Sequence, residues 1–206
     1  MSDVKIAVIY YSATGTNYQM AVEAERAAQN AGAATRLRRV PELAPKEAIA
    51  SNPAWKSHTE ATGHVQLATL DDLDWADGII FSVPTRFGNM AAQMKQFLDT
   101  AGPLWGQGKL VNKTVTAMSS AANPHGGQEA TLLSLYTMMF HWGAIVVAPG
   151  YTSEKVYAAG GNPYGTTATA GDKVSPEVLA AVGHQAERLV NVTRRLISAP
   201  AMSGGR

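Results

Sequence analysis

The chain of 206 residues is 46% hydrophobic and 16% charged, a composition that supplies a buried core and excludes an intrinsically disordered protein. Its 17 Lys and Arg nearly balance its 16 Asp and Glu, so it lacks the basic surplus typical of nucleic-acid-binding proteins. It contains no cysteine, which excludes disulfides, thiolate metal sites and a thiol redox couple. Any redox reaction must therefore use a bound cofactor.

The sequence predicts neither a signal peptide nor a membrane span. The N-terminal residues carry an acid where a signal peptide is basic, and no stretch approaches the ~18 consecutive apolar residues of a membrane span. We therefore expect a cytoplasmic protein with neither a membrane nor a nucleic acid as partner. Residues 1–199 are predicted to form a single domain, and residues 200–206 a disordered tail.

The N-terminal part of the chain predicts a strand, a helix and a second strand. Val4–Tyr11 is a nearly continuous β-branched and aromatic run, typical of a strand buried on both faces of a parallel sheet. After an interruption at residues 12–16, the pattern from Asn17 to Asn30 is helical, and Gly32 is placed to end that helix. Thr35–Val40 is predicted to be the second strand.

The middle of the chain continues this alternation. Asp77–Val83 predicts a third strand that ends at Pro84, and the apolar side chains of Met90–Ala101 fall on one face of a helix. Lys113–Ser120 predicts the fourth strand, and Gln128–Phe140 the helix that follows it.

A fifth strand over Ala144–Ala148 and a helix capped by Ser175 complete the pattern. Alternating strands and helices indicate an α/β fold, here a flavodoxin-like, doubly wound, five-stranded parallel sheet with helices on both faces. Its ligand is expected beyond the carboxyl ends of the strands, at the topological switch point. Residues 41–69 and 150–172 are too long for ordinary connections, so we expect them to build the ligand crevice or a subunit contact.

The loop after the first strand has the features of an anion site. Ser12, Thr14 and Thr16 offer hydroxyl donors just before a helix N-terminus, and Gly15 lets the backbone turn tightly. No lysine follows as in a Walker loop, so neutral donors holding a phosphomonoester are favoured. A hydroxyl-rich turn that merely caps the helix is the alternative.

Two further loops follow predicted strands. Pro84–Asn89 contains Arg86 and Phe87, which would project at the carboxyl edge of the sheet, where a planar ring can lie. Ser119–Gln128 follows the fourth strand in the same way. The three loops are expected to converge on one crevice.

Four segments resemble the WrbA family of FMN-dependent NAD(P)H:quinone oxidoreductases, which are related to flavodoxins: Tyr10–Gly15, Pro84–Met90, Gln93–Asp99 and Pro163–Gly165. The resemblance extends from about residue 4 to residue 197. It implies a flavodoxin-like fold, FMN as cofactor, NADH or NADPH as co-substrate, a quinone as substrate, and a homotetramer in equilibrium with dimers.

The resemblance also implies roles for individual residues. The FMN contacts would be Ser12, Ala13, Thr14, Gly15, Thr16 and Asn17 at the phosphate, Thr85, Arg86 and Phe87 at the ring, and Ser120, Ala121, Ala122, Asn123, Pro124, His125, Gly126 and His141. Trp105 would close the substrate side. Thr14 stands where the family commonly has a Tyr beside the nicotinamide.

The same residues also have structural interpretations. A lone histidine between Phe140 and Trp142, such as His141, is more often a packed, hydrogen-bonded side chain than a catalytic one. His125 is equally well interpreted as a solvated side chain, and Trp105 as a loop anchor. A hydrolase is disfavoured because no G-x-S-x-G motif is present, and the histidine spacing predicts no metal site.

The predicted reaction is a ping-pong, two-electron reduction of quinones to hydroquinones, with hydride passing from NAD(P)H through flavin N5. Arg86 would stabilise negative charge on the reduced ring, and His141 would supply a proton to the quinone oxygen. One alternative is a flavodoxin that carries single electrons to protein partners. Another is a scaffold protein that keeps flavin only as a structural ligand.

Overall fold

The computed structural model describes residues 4–171 and 173–199. The strands are β1 (Val4–Tyr10), β2 (Ala33–Arg39), β3 (Gly78–Arg86), β4 (Asn89–Met90), β5 (Thr114–Ala121), β6 (Ile145–Val146) and β7 (Thr167–Thr169). The helices are α1 (Thr16–Asn30), α2 (Lys46–Ala50), α3 (Pro53–Ala61), α4 (Leu70–Trp75), α5 (Ala92–Asp99), α6 (Gly102–Gly106), α7 (Gln128–His141), α8 (Glu154–Ala158) and α9 (Pro176–Ser198). The predicted tail, residues 200–206, lies outside the described residues.

The five predicted strands form one parallel sheet in the order β2-β1-β3-β5-β6. This order confirms the predicted flavodoxin-like arrangement, because the chain reverses its direction of winding between β1 and β3. The carboxyl ends of β1, β3 and β5 lie side by side: Tyr10 pairs with Ser82, and Pro84 pairs with Ser120. The loops that leave these strands therefore start from neighbouring points.

Apolar side chains fill the space on both faces of the sheet. On one face Phe81 packs with Met94 of α5 and Leu132 of α7. On the other, Val8 packs with Met20 of α1 and Leu189 of α9. Because β1 and β3 are covered on both sides, their near-continuous apolar runs are explained.

The third strand does not end at Pro84 as predicted. It runs on to Arg86, and Pro84 remains in register with Ser120. The carbonyl of Ser82 points toward β1 and accepts from the N–H of Tyr11. Because backbone groups two residues apart point to the same side of a strand, the nitrogen of Pro84 also faces β1, at a point where β1 has already ended. The missing N–H of proline therefore costs no ladder hydrogen bond.

The long segments contain regular structure that the sequence pattern did not predict. Residues 41–69 include α2 and α3, and residues 150–171 include α8 and β7. β7 pairs with β5 beyond the point where the short edge strand β6 ends. Within the described ranges, no helix has the length and apolarity needed to cross a bilayer.

Candidate active site

The loops after β1, β3 and β5 surround a cleft of about 470 Å³ at the carboxyl edge of the sheet. This volume is within the range of small-molecule sites. Its lining consists of Ser12, Ala13, Thr14, Thr16, Asn17, Asn52, Trp55, Pro84, Thr85, Arg86, Phe87, Ser120, Ala121, Ala122, Asn123, Gly126 and Ala170. Among these described residues Arg86 alone carries a formal charge, so the cleft is nearly neutral.

The first loop turns directly into α1. Gly15 is the N-cap of the helix, with φ of 106°, and its N–H donates to Ser12 Oγ at 3.0 Å. The Ser12 oxygen is used as an acceptor in this contact, which leaves its O–H available to donate. The first-turn N–H groups of a helix have no intrahelical acceptors, so this end of α1 offers several donors beside the cleft.

Asn17 ties the first loop to the ends of two strands. Its side-chain amide donates to Ser82 Oγ at 3.1 Å, and its Oδ1 accepts from Ser120 Oγ at 2.5 Å. Ser82 Oγ in turn donates to the backbone carbonyl of Asn17 at 2.9 Å. All three residues are buried, so this network sets the spacing between the loops and leaves little of the Asn17 side chain for a ligand.

The second loop is a tight hairpin between β3 and β4. Phe87 and Gly88 form its turn with φ values of 53° and 76°, and Arg86 pairs with Asn89 across it. Two positive φ angles in a two-residue turn match the backbone twist of a hairpin, although a bulky residue such as Phe rarely adopts one. The Phe87 ring is fully exposed at the mouth of the cleft.

Helix α7 holds this hairpin through two side-chain contacts. Thr85 Oγ1 and Thr131 Oγ1 are 2.6 Å apart, and Ser134 Oγ donates to Asn89 Oδ1 at 3.0 Å. The guanidinium of Arg86 donates to the carbonyl of Thr85 at 2.9 Å, so the charge stays at the cleft edge. The hairpin position therefore depends on α7 as well as on the sheet.

The third loop is organised by Asn123 and by β7. Asn123 Oδ1 accepts from the N–H of His125 at 3.1 Å, and its carbonyl accepts from Gln128 Nε2 at 2.9 Å. The N–H of Ala170, just after β7, donates to the carbonyl of Ala121 at 2.6 Å. Backbone from residues 170–171 is thereby added to the rim of the cleft.

The second and third loops pack directly against each other. A Cβ at Gly127 would lie 2.9 Å from the Cα of Gly88, closer than a side chain allows. Gly127 also has φ of 91° and caps the N-terminus of α7. Glycine is therefore required here both for the turn and for the contact between the loops.

The structure brings together most of the predicted FMN contacts. Thirteen of them line the cleft: Ser12, Ala13, Thr14, Thr16, Asn17, Thr85, Arg86, Phe87, Ser120, Ala121, Ala122, Asn123 and Gly126. Gly15 lies beneath them as the helix cap. Pro124 and His125 are exposed on the same loop but are not part of the lining.

His141 and Trp105 lie outside the cleft of the single chain. His141 is exposed at the end of α7, and its carbonyl accepts from Trp105 Nε1 at 2.8 Å. Trp105 itself is 59% exposed on α6. His141 and Trp105, the two residues predicted to act on the substrate, therefore lie next to each other and away from the first loop, which would hold the phosphate.

Four lining residues were not among the predicted contacts: Asn52, Trp55, Pro84 and Ala170. The first two belong to the long segment 41–69. Asn52 followed by Pro53 is the same signature of an N-cap and a proline that predicted the start of α9, and its Oδ1 accepts from the N–H of Trp55 at 3.1 Å. That signature was available in the sequence as a sign of α3.

The Glu42 carboxylate lies behind Trp55 and organises the surrounding groups. Its donors are Tyr11 Oη, Trp55 Nε1, Gln93 Nε2 and the N–H groups of Leu43 and Ala44. Burial by itself would raise the pKa of Glu42, but these hydrogen bonds outweigh it and hold the pKa below its usual range. The carboxylate is therefore ionised at neutral pH.

The profile of a family described as NADPH-dependent FMN reductase matches residues 4–157. The chain belongs to this family. It is 49% identical over 195 residues to an NAD(P)H dehydrogenase (quinone) of Deinococcus radiodurans, covering 94% of this chain and 98% of that protein. A protein of the same name from Chelativorans sp. is 42% identical over 201 residues, covering 94% and 98%.

A solved structure gives the same result for the fold. A WrbA-like flavodoxin protein from Agrobacterium tumefaciens superposes with a TM-score of 0.69 at 22% identity, covering 94% of this chain and 99% of that one. The flavodoxin-like fold is thereby confirmed. Together with the family match, this confirms the predicted relationship to WrbA-like, flavin-dependent oxidoreductases.

Proposed function

We propose that the protein reduces quinones to hydroquinones with electrons from NADH or NADPH, using FMN as cofactor in a ping-pong reaction. The observation that carries the proposal is the convergence of the loops after β1, β3 and β5 on one nearly neutral cleft. The names of the Deinococcus and Chelativorans relatives support the reaction class. The near-zero net charge supports small substrates over a charged protein partner.

The residues of the first loop fit a phosphomonoester. Ser12, Thr14 and Thr16 bring hydroxyls to the N-terminus of α1, and the left-handed Gly15 opens the turn so that backbone N–H groups can face an anion. No cation stands in this loop, which suits the phosphate of FMN better than a triphosphate with its metal ion. Ser12 to Thr16 and the backbone N–H of Asn17 would hold this end of the cofactor.

The second and third loops fit a planar ring. Thr85 and Phe87 of the second loop border the cleft, as do Ser120, Ala121, Ala122, Asn123 and Gly126 of the third. When bound, FMN would supply the redox chemistry, taking hydride from NAD(P)H at N5 and returning two electrons to the quinone. Arg86 would stabilise negative charge on the ring, because its guanidinium is already fixed at the cleft edge.

His141 and Trp105 retain their predicted roles as proton donor and substrate contact only if chains assemble. Exposed apolar side chains occur on the same part of the chain, including Phe140 and Leu133 on α7 and Val111 after α6. An apolar surface of this kind supports the predicted homotetramer or homodimer, in which these residues would reach the cleft of another copy. Sedimentation of a fully active monomer would remove this part of the proposal.

The visible spectrum of the purified protein tests the proposal most directly. Flavin bands near one FMN per chain should be bleached by NADH or NADPH and restored by benzoquinone. Turnover with benzoquinone no faster than that of free FMN would overturn the proposal. Electron delivery to cytochrome c without quinone turnover would favour the one-electron carrier instead.

A further inference from the structure

Trp55 enters the cleft from an element that lies outside the sheet framework. It belongs to α3, all of whose residues are at least partly exposed, yet its side chain lines the cleft. Its indole Nε1 donates to Glu42 Oε2 at 3.2 Å, and its backbone N–H donates to Asn52 Oδ1 at 3.1 Å. The bond to Asn52 fixes the start of α3, and the bond to Glu42 orients the indole ring.

Glu42 connects Trp55 to the framework of the site. Its Oε2 also accepts from the hydroxyl of Tyr11 at 2.9 Å, at the end of β1, and its Oε1 accepts from Gln93 Nε2 at 2.6 Å, on α5. Gln93 further donates to the Tyr11 oxygen at 2.9 Å. Tyr11 at the end of β1 and Gln93 on α5 thus fix the Glu42 carboxylate, which in turn binds the indole of Trp55.

A second contact seats α3 on the phosphate loop. His58 lies one turn after Trp55 on the same helix face, and its Nδ1 is 3.6 Å from where a Cβ on Gly15 would be. The His58 ring also lies 5.5 Å from that of Tyr18 in α1. Since α3 is fixed against the loop that begins α1, Trp55 has a defined place relative to the rest of the cleft.

We infer that Trp55 binds the planar ring of the exchanging substrate, nicotinamide or quinone, and that Glu42 is its positioning residue. This inference rests on the proposed function. The predicted FMN contacts within the cleft lie on loops that follow the ends of sheet strands. Trp55 instead belongs to a solvent-facing helix outside the sheet. A substrate that exchanges at every turnover can enter the cleft from this solvent-facing side. A flat indole whose only polar atom is already hydrogen-bonded offers its faces for stacking.

Substitution of Trp55 in the FMN-loaded protein tests the ring contact. Trp55→Ala should raise KM for NADH, NADPH or the quinone by about two- to tenfold, the range expected for one aromatic contact. Trp55→Phe keeps an aromatic face but loses the hydrogen bond to Glu42, so it should raise the same KM by less than Trp55→Ala does. The affinity for FMN, measured by titration of the apoprotein, should change less than twofold in both variants. Trp75→Ala is the matched control, because Trp75 packs on Arg36 at 4.2 Å and is not part of the lining.

The two possible ring sources are separated by measuring both substrates. A higher KM for the nucleotide, together with weaker binding of NAD⁺ or NADP⁺ in equilibrium dialysis, assigns Trp55 to nicotinamide; a higher KM for benzoquinone alone assigns it to the quinone. Unchanged KM for all substrates in a protein that still turns over would overturn the inference and leave the proposed function intact. Weaker FMN binding as the main effect would also overturn it.

The role of Glu42 is tested in a double-mutant cycle. Glu42→Gln keeps the side-chain shape but replaces one acceptor oxygen by a donor, so the indole should lose its fixed orientation and the same KM should rise. In the Trp55→Phe background, which lacks the indole N–H, Glu42→Gln should raise that KM no further. An equal rise in both backgrounds would indicate a general structural role for Glu42 and would overturn its assignment.

Discussion

The side-chain oxygen of Asn17 and the hydroxyl of Ser120 are 2.5 Å apart, which joins the first turn of α1 to the carboxyl end of β5. Ser120→Ala should leave the buried Asn17 oxygen without this donor and lower the free energy of unfolding by about 1–3 kcal/mol. Because the bond sets the distance between the first and third loops, FMN affinity should fall as well. Urea denaturation and FMN titration measure the two effects.

Ser119→Ala, one residue earlier, is a control for the first prediction. Ser119 Oγ is buried without a hydrogen bond among the described residues, so its removal breaks no contact of the network. A stability loss as large as that of Ser120→Ala would contradict the role given to the Asn17 bond.

Gly15→Ala should weaken FMN binding. The position has φ of 106°, and a Cβ there would meet only His58 Nδ1 at 3.6 Å, so the strain is conformational rather than steric. We expect a stability loss of about 1–2 kcal/mol and an FMN dissociation constant raised about tenfold, since the loop must shift to relieve the strain. Gly102→Ala, where no atom lies within 4 Å and φ is ordinary, should change neither quantity.

Asp72 should make stability depend on pH in the acid range. Burial alone would raise its pKa, but hydrogen bonds from the N–H and Oγ1 of Thr69, both 3.0 Å, and the charges of Arg38 and Arg36 outweigh burial and lower it. A lowered folded pKa contributes stability that is complete above the unfolded value of about 3.9 and is lost as the pH falls through the folded value.

Asp72→Asn should therefore lower the free energy of unfolding by about 2 kcal/mol at pH 7. The difference in unfolding free energy between wild type and variant, measured by thermal unfolding at each pH, should narrow progressively below about pH 4. A gap that stays constant down to pH 2 would contradict the assigned pKa direction. Asp71→Asn, whose side chain is 79% exposed, should cost much less at every pH.

Phe87→Asn should stabilise the fold while reducing activity. Phe87 occupies a left-handed turn position that Asn tolerates better, and its exposed ring contributes no core packing. We expect a gain of about 1 kcal/mol in unfolding free energy and a lower kcat/KM, because the cleft loses an aromatic border. Phe140→Asn, an exposed phenylalanine at ordinary helical angles, should bring no such gain in stability.

The sheet and the three loops were predictable because they depend on local patterns. The apolar run of β1, the alternation of strands with helices and the hydroxyls around Gly15 all lie close together in sequence. They predicted the strand order and the convergence of the loops, while the resemblance to the WrbA family implied the thirteen FMN contacts that line the cleft.

What escaped prediction depends on contacts between distant parts of the chain. Pro84 continues its strand because β1 stops after Tyr10, a fact about a neighbour 74 residues away. The left-handed conformation of Phe87 is set by a hairpin that α7 holds. Trp55 reaches the cleft because Glu42 contacts the end of β1, and an amphipathic pattern carries no information about such a hydrogen bond.

The pairing of β7 with β5 serves both the cleft and the edge of the sheet. The rim of the cleft includes Ala170, whose N–H donates to the carbonyl of Ala121 just after β7. Without β7, the carboxyl end of β5 would be an open strand edge, because β6 pairs only with the start of β5. The same short strand therefore completes the rim of the site and covers an edge that could otherwise pair with another chain.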